Sequence, residues 1–278
     1  MEKLYERIRT RLEEMKKDGT YKEYRYLESP MSAHTRIENK GDVLVLCSNN
    51  YLGLSDKEEL IQSGIQALQK YGAGGASVRF ICGTYDIHRD LENKVAKFLG
   101  MEAALTYSSC WSANTAVIPA LLQPGDTVIS DALNHASIVD GCRLIAKGVN
   151  KAIYRHSDMS DLEEKLKEAK NSPVRLVLSD GVFSMEGDVA RLPEIVELVR
   201  KYDAVLLLDD SHATGVIGET GRGTAEYYHM QGQVDIITGT FGKALGGAGG
   251  GFVAGRRPLI DLCIQASRPH LFSNSLPP

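Results

Sequence analysis

A lysine between a strand-like run and a cluster of glycines is the residue in this sequence best placed for covalent chemistry. Lys243 follows Asp235-Ile-Ile-Thr-Gly-Thr240 and precedes the glycine-rich stretch 246–251. Glycines let a planar ligand approach the backbone, and a partly desolvated lysine can lose its proton and attack a carbonyl carbon. A phosphate-binding P-loop is excluded, because Ala244 replaces its serine or threonine and Ile237 its first glycine. The remaining alternative is an exposed lysine in a flexible loop.

An acid stands at the end of an apolar run. Ala204–Leu208 is followed by Asp209, Asp210, Ser211 and His212. A carboxylate emerging from a buried strand can stabilise a protonated ring nitrogen, and capping of the next turn is the alternative role for Asp209. A Ser-His-Asp hydrolase is disfavoured, because these residues adjoin in sequence and no GxSxG motif is present.

A third group stands where a strand-like run passes into a helix. Ser109, Cys110 and Trp111 follow the run that ends at Tyr107. Free N–H groups at the start of a helix suit a phosphate group, whereas helix capping by Ser108 or Ser109 is the alternative. Cys110 as a thiol nucleophile is a weaker alternative, because no motif of a cysteine hydrolase surrounds it.

Two further residues follow strand-like runs. His135 comes after Thr127–Ser130 and could stack on an aromatic cofactor or move a proton, although a lone histidine is more often structural. Ser184 comes after the run at 174–179 and could donate to a phenolic oxygen. An amine that traps a carbonyl, an acid for a ring nitrogen, a phosphate site and a stacking imidazole together describe one cofactor, pyridoxal 5′-phosphate.

The elements that must position these residues alternate between helix and strand. Apolar residues at helical spacing predict an opening amphipathic helix from Leu4 to Met15, and a strand is predicted at Val43–Cys47. Further helices are predicted near 56–71, 87–99, 111–122, 136–147, 160–170 and 192–202, and further strands near 103–107, 127–130, 152–155, 174–179, 204–210, 235–239 and 250–254. This alternation predicts an α/β fold with a mostly parallel central sheet flanked by helices. We divide the chain into an N-terminal helix and arm, 1–45, and a large α/β domain, 46–278.

Composition excludes several functional classes. The net charge of -4 gives no reason to expect nucleic acid or an anionic membrane as a partner. Apolar runs are too short to span a bilayer, and no basic segment followed by an apolar one marks a secretory signal. The 5 cysteines form no CxxC pair and the 7 histidines no HxxxH pair, so we predict no metal site and a reducing, cytoplasmic location.

Four motifs together resemble a known family. They are Ser130-Asp-Ala-Leu-Asn-His135, Gly181-Val-Phe-Ser184-Met-Glu-Gly-Asp, Asp209-Asp-Ser-His212 and Thr240-Phe-Gly-Lys243. The sequence is similar, from its opening helix to Pro278, to the α-oxoamine synthases, enzymes with pyridoxal phosphate and a fold of the aspartate aminotransferase type. Members of that family continue into a C-terminal small domain, which this chain lacks, so the resemblance predicts a fragment.

The resemblance implies a role for each matching residue. Lys243 is expected to bind the cofactor covalently and Asp209 to pair with its ring nitrogen. His135 is expected to stack on the ring beside the substrate, and Ser184 and His212 to bond the phenolic oxygen. The phosphate is assigned to the backbone of Cys110 and Trp111 with Thr240; Trp111 replaces the phenylalanine usual in the family. Ser273 and Asn274 are expected to reach the site of a neighbouring subunit, and Asn50 to lie near the carboxylate of the amino acid.

The substrates follow from the finer likeness. Cys47–Leu54, Ala76–Thr84, Tyr107–Cys110 and Ser267–Leu276 are most similar to family members that condense glycine with acetyl-CoA. The expected protein is therefore an acyltransferase that acts as a homodimer, with sites shared across the interface. Two alternatives remain open: a member that uses alanine and a longer acyl-CoA, and a catalytically silent subunit of the same fold.

Overall fold

The computed structural model describes residues 1–278, in two compact units, Met1–Cys47 and Ser48–Pro278. The first unit contains helix α1 (Glu2–Lys17), which confirms the predicted opening helix. It also contains an antiparallel hairpin of β1 (His34–Ile37) and β2 (Gly41–Leu44).

This hairpin differs from the sequence-based prediction. β1 lies in a stretch predicted as a polar connection, and β2 begins before the predicted strand at 43–47. Asn39 and Gly41 adopt left-handed φ angles of 59° and 75°, which turn the chain sharply so that Ile37 pairs with Gly41. The turn residues, and not the apolar run at 43–47, therefore set the register of these strands.

The second unit is built on a 7-stranded sheet with the order β3-β9-β8-β7-β6-β4-β5. Its strands are β3 (Ala103–Tyr107), β4 (Thr127–Asp131), β5 (Asn150–Tyr154), β6 (Arg175–Asp180), β7 (Val205–Asp209), β8 (Ile236–Thr240) and β9 (Gly251–Gly255). Only β9 runs antiparallel to its neighbours, β3 and β8. The predicted mostly parallel sheet is confirmed.

Helices connect the strands of this unit. They are α2 (Glu58–Tyr71), α3 (Asp86–Leu99), α4 (Cys110–Leu121), α5 (Ala136–Arg143), α6 (Met159–Glu168), α7 (Leu192–Lys201), α8 (Thr224–Tyr227), α9 (Arg257–Ala266) and α10 (Arg268–Phe272). Helices α2 to α7 match the predicted ones, whereas α8, α9 and α10 lie where no helix is predicted. None of the helices is both long and apolar enough to cross a membrane.

The central strands are buried on both faces, which explains their continuous apolar sequences. In β6, Val177 packs in one hydrophobic cluster while Leu176 and Leu178 pack in another. β7 alternates in the same way, because successive side chains of a strand point to opposite faces. Helix α7 contributes to the first cluster and α4 to the second, so helices cover both faces of the sheet.

Candidate active site

A cavity of about 200 Å³ lies where the parallel strands of the second unit end. This is the edge at which open α/β sheets bind ligands. Its lining residues are Ser109, Cys110, Trp111, His135, Ser137, Asp180, Asp209, Ser211, His212, Thr240 and Lys243. Residues from the ends of β3, β4, β6, β7 and β8 therefore meet at one site.

Asp209, the last residue of β7, is held by donors on both carboxylate oxygens. Asn114 Nδ2 donates to Oδ2 at 2.6 Å, and the Cys110 thiol lies 3.6 Å from the same oxygen. The backbone N–H of Ser211 donates to Oδ1 at 3.0 Å, so Asp209 also makes the turn contact that sequence reasoning gave as its alternative role. Asp209 is only 4% exposed, and these contacts fix its carboxylate beside the cavity.

The same network orients His135. Asn114 Nδ2 also donates to Ser137 Oγ, which lies 2.8 Å from His135 Nδ1. Asn114 is fully buried, and its own Oδ1 has no hydrogen-bond partner. Sequence reasoning assigned no role to Asn114, although its position one helical turn after Cys110 on α4 places it beside the end of β7.

A second buried acid, Asp180, also lacks a role in the sequence-based reading. Its Oδ2 accepts the backbone N–H of His135 at 2.9 Å, and its own N–H donates to Asn134 Oδ1. Asp180 is paired in register with Asp209 on the neighbouring strand. Burial, and then the charge of Asp209, raise the pKa of Asp180 to about 8. Asp180 therefore positions the His135 backbone next to the cavity.

Lys243 lies against a histidine. Its Nζ is 2.6 Å from His212 Nε2, and His212 Nδ1 is 2.8 Å from the hydroxyl of Tyr51. Burial lowers the pKa of Lys243, although the charges of Asp209, Cys110 and Asp180 oppose the shift. Burial, and then the charge of Lys243, lower the pKa of His212 to about 4. Burial therefore shifts both groups towards their neutral forms.

The start of α4 supplies backbone donors. Ser109 is the N-cap of α4, and its Oγ accepts the N–H of Ser112 at 3.0 Å. The capping alternative is therefore correct for the Ser109 side chain, and the N–H groups of the first turn are the donors available to an anion at this point. Burial raises the pKa of the Cys110 thiol well above its usual range, which disfavours Cys110 as a nucleophile.

Two contacts complete this part of the cavity. The ring of Trp111 meets the ring of His135 edge-on, with centroids 6.0 Å apart. The Thr240 hydroxyl donates to Gly250 O at 3.1 Å and accepts the N–H of Gly242 at 3.0 Å. Thr240 is thereby fixed at the end of β8, next to the glycine-rich segment that leads into β9.

Four predicted residues do not line the cavity. Asn50 Oδ1 accepts the N–H groups of Leu54 and Ser55, so its carbonyl caps a turn. Ser184 is exposed in the loop after β6. Ser273 and Asn274 line a different, smaller pocket, and their assignment to the site of a neighbouring subunit stays a prediction.

The residues present fit pyridoxal 5′-phosphate. An amine, a buried carboxylate and the first turn of a helix border one cavity, and they match an aldehyde, a ring nitrogen and a phosphate. A Cβ on Gly251 would lie 2.3 Å from the Cys110 nitrogen, so the bare glycine keeps open the space at the start of α4. The glycine and the donor set together form a cradle for an anionic group.

Comparison with known proteins agrees with this chemistry. The family described as "Aminotransferase class I and II" matches residues 41–278. The chain is 52% identical over 268 residues to human mitochondrial 2-amino-3-ketobutyrate coenzyme A ligase, covering 96% of the chain and 64% of that relative. It is 50% identical over 272 residues to the 8-amino-7-oxononanoate synthase of Thermoanaerobacter pseudethanolicus, covering 98% of the chain and 68% of that relative.

A solved structure shares the fold. It is a lysine-to-alanine variant of serine palmitoyltransferase from S. paucimobilis with a bound PLP–myriocin aldimine, at a TM-score of 0.90 and 32% identity, covering 99% of this chain and 71% of that one. By comparison, the chain spans less than two thirds of the length of the human and bovine 2-amino-3-ketobutyrate coenzyme A ligases, 64% in each case.

Proposed function

The chain belongs to the class I and II aminotransferase family and, within it, to the α-oxoamine synthases, and from this premise we propose its reaction. Its cofactor is pyridoxal 5′-phosphate. The whole protein transfers the acetyl group of acetyl-CoA to glycine, giving 2-amino-3-ketobutyrate and CoA. The identity of 52% to a ligase named for that product supports this assignment.

One observation carries the proposal: Lys243 and Asp209 border the same cavity. Burial lowers the pKa of Lys243 and so raises the fraction of its amine that is neutral and able to react with a carbonyl group. A buried carboxylate with fixed donors is suited to a protonated ring nitrogen. Neither a Ser-His-Asp hydrolase nor a P-loop enzyme needs the two arrangements together.

The chain offers one group for each part of the cofactor. Lys243 would bind its carbonyl carbon, Asp209 would pair with its ring nitrogen, and His135 would stack on its ring face. His212 and Ser184 would bond its phenolic oxygen, which requires the loop after β6 to bring Ser184 to the cavity. The N–H groups of Cys110 and Trp111 with the Thr240 hydroxyl would hold the phosphate, while Ser109 holds the first turn of α4 in place.

During the reaction these residues hold or move protons. When bound, the cofactor supplies a ring that withdraws electrons from the carbon to which the amino group is attached. Once Lys243 Nζ is no longer bound to the cofactor, it would take a proton from Cα of glycine, with Asn50 near the glycine carboxylate. Cα then forms a bond to the acetyl carbonyl carbon, and the C–S bond breaks to release CoA as thiolate. His135 is placed to act on the substrate, because Asp180 and Ser137 fix its backbone and ring.

Borohydride reduction of the full-length protein with pyridoxal 5′-phosphate tests the covalent site. Peptide mass spectrometry should find the cofactor on Lys243, and Lys243→Ala should abolish this attachment and lower turnover by about a thousandfold. Lys147→Ala, which removes an exposed lysine, is the matched control and should retain both. Attachment to another lysine, or attachment that survives Lys243→Ala, would overturn the assignment.

A second reaction has its own support. The relative named 8-amino-7-oxononanoate synthase is 50% identical, close to the value for the ligase. Turnover of glycine and of alanine, each with acetyl-CoA and with pimeloyl-CoA, separates the two. We expect turnover with glycine and acetyl-CoA; turnover restricted to alanine and pimeloyl-CoA would identify the alternative reaction.

We further propose that the whole protein is a cytoplasmic homodimer in which Ser273 and Asn274 reach the site of the neighbouring subunit. Analytical ultracentrifugation tests the dimer, and cell fractionation tests the location. In a mixed dimer of one Lys243→Ala chain and one Asn274→Ala chain, one of the two sites should combine an intact Lys243 with an intact Asn274. The mixed dimer should therefore be more active than either variant alone. Activity of mixed dimers no higher than that of either variant alone would argue against a shared site.

A further inference from the structure

Three hydrogen bonds run in series from Lys243 away from the cavity. Lys243 Nζ lies 2.6 Å from His212 Nε2, and His212 Nδ1 lies 2.8 Å from Tyr51 Oη. Tyr51 Oη donates to Asn49 Oδ1 at 3.0 Å. Tyr51 is 42% exposed, but its hydroxyl stands between the histidine and the amide.

The donors in this series can be counted. A phenol has one hydrogen, and because an amide oxygen only accepts, the contact with Asn49 Oδ1 assigns the hydrogen of Tyr51 to that bond. The bond between His212 Nδ1 and Tyr51 Oη therefore needs its hydrogen from Nδ1. A neutral imidazole carries one N–H, so His212 Nε2 is left with a lone pair that faces Lys243 Nζ.

We propose that Tyr51 and Asn49 are positioning residues that hold His212 in its Nδ1–H tautomer, with Nε2 as an acceptor beside Lys243. The inference stands on these hydrogen bonds alone and does not depend on which amino acid or acyl-CoA the protein uses. Its consequence is that His212 offers a lone pair, and not a proton, to the amine of Lys243.

The surroundings of His212 lower its pKa, so the neutral ring, which has a defined tautomer, is its form at neutral pH. Lys243, Asp209 and His135 are the charged or titratable groups whose fields act on it, and Tyr51 contacts its other nitrogen. With its pKa lowered to about 4, His212 is neutral above pH 5, so one of its two nitrogens must be bare.

A histidine with the opposite tautomer provides an internal reference. His88 Nδ1 accepts the backbone N–H of Tyr85 at 3.0 Å, and His88 Nε2 lies 2.9 Å from Leu276 O. A carbonyl oxygen only accepts, so His88 must carry its hydrogen on Nε2. His88 is 3% exposed, and neither contact involves Tyr51 or Asn49.

Nitrogen-15 NMR of histidine-labelled, full-length protein at pH 7.5 measures both tautomers. We expect a protonated Nδ1 for His212 and a protonated Nε2 for His88 in the parent protein. Tyr51→Phe, which removes only the hydroxyl group, should lower the Nδ1–H to Nε2–H ratio of His212 roughly fivefold, the factor that one ordinary net hydrogen bond contributes. The His88 signals should not move.

Two substitutions at Asn49 separate positioning from general damage. Asn49→Asp keeps an acceptor for the Tyr51 hydroxyl and should retain the parent tautomer, whereas Asn49→Leu removes the acceptor and should shift His212 in the same direction as Tyr51→Phe. Asn49 is exposed, so both variants should fold. A parent protein with Nε2 of His212 protonated, or a tautomer that is unchanged in both Tyr51→Phe and Asn49→Leu, would overturn the proposal.

Discussion

Two histidines near the same edge of the sheet are bonded through both ring nitrogens, yet their surroundings differ. His212 lies between the hydroxyl of Tyr51 and the amine of Lys243, at 2.8 and 2.6 Å. His156 lies between carboxylate oxygens of Asp131 and Asp188, at 2.9 and 3.0 Å. The first borders the cavity, and the second lies among residues that do not line it.

The partners decide the direction in which the pKa of each ring shifts. Burial by itself acts to lower the pKa of both histidines. At His212 the charge of Lys243 adds to that shift, and the pKa falls to about 4. At His156 the hydrogen bonds and charges of Asp131 and Asp188 outweigh burial, and the pKa is raised. Burial alone therefore does not predict the direction in which the pKa of a histidine shifts.

The two regions consequently serve different purposes. The ring of His156 joins Asp131, the last residue of β4, to Asp188 in the loop after β6, and it packs edge-on against Phe183 with ring centroids 4.4 Å apart. These are the two segments that carry His135 and Ser184. We expect substitutions in this bridge to act on stability, and substitutions around the cavity to act on ligand binding.

The largest effect is expected at Asp131. Its side chain is 2% exposed, and besides His156 it accepts the N–H groups of Leu133 and Ser157. Asp131→Ala removes the acid from a buried pair and leaves two backbone donors unpaired, so it should lower the unfolding free energy by about 3 kcal/mol. Urea denaturation measures the change.

Asp188 provides the control for that experiment. Its side chain is 42% exposed, so water can replace part of what it contributes. Asp188→Ala should cost less than about 1 kcal/mol. Equal costs at Asp131 and Asp188 would contradict the view that the bridge is anchored on the buried acid.

The next effect should appear in binding. A Cβ at position 251 would approach backbone atoms of Ser109 and Cys110 within 2.3 to 2.5 Å, so Gly251→Ala should displace the start of α4. We expect pyridoxal 5′-phosphate affinity to fall at least roughly tenfold, with about 1–3 kcal/mol lost in stability from overpacking. Equilibrium titration of the cofactor measures the first and urea denaturation the second.

A neighbouring glycine distinguishes collision from loss of backbone freedom. A Cβ at Gly249 would meet nothing within 4 Å, and Gly249 does not adopt a left-handed φ. Gly249→Ala should therefore leave cofactor affinity within about twofold. A similar loss of affinity in both variants would mean that the glycine-rich segment needs flexibility and not space.

Sequence patterns were sufficient to locate the site residues that follow strands. Asp209, His135 and Thr240 are each found at or shortly after the end of a strand-like run, and parallel strands bring such ends to one edge. The period of the apolar residues also predicts helices α2 to α7, and of these α3, α5, α6 and α7 each bury one face. Helices α9 and α10 have a proline at their start, a signal that favours a helix but is weak without a clear apolar period.

The contacts between distant segments could not be predicted in this way. Asn114, Asp180 and Tyr51 act through partners 95, 45 and 161 residues away in sequence, and nothing in their local sequence names those partners. The charge states of His212 and His156 depend on such contacts, so a lone histidine in the sequence gave no indication of either. Sequence spacing identified residues that border the cavity. The structure was needed to identify their hydrogen-bond partners and the direction of their pKa shifts.

The smallest expected effect is a pair of opposite pH dependences in the unfolding free energy of protein freed of cofactor. The raised pKa of His156 means that its contribution to stability is fully present below about pH 6.5 and is lost as pH rises through the folded-state value. The stability difference between the parent and His156→Gln should therefore shrink with rising pH. The pKa of His212 is lowered to about 4, so its contribution is present above about pH 6.5 and is lost as pH falls.

The difference between the parent and His212→Gln should therefore shrink with falling pH. Each slope is bounded by about 1.4 kcal/mol per pH unit, the limit for one proton. Urea denaturation at intervals from pH 5 to 9 measures both, and subtracting each variant from the parent removes the titration of other groups such as Asp180 and His270. Slopes of the same sign would show that burial, which acts alike on the two rings, dominates over their partners, and the contrast between the lowered pKa of the histidine at the cavity and the raised pKa of the one in the bridge would then be lost.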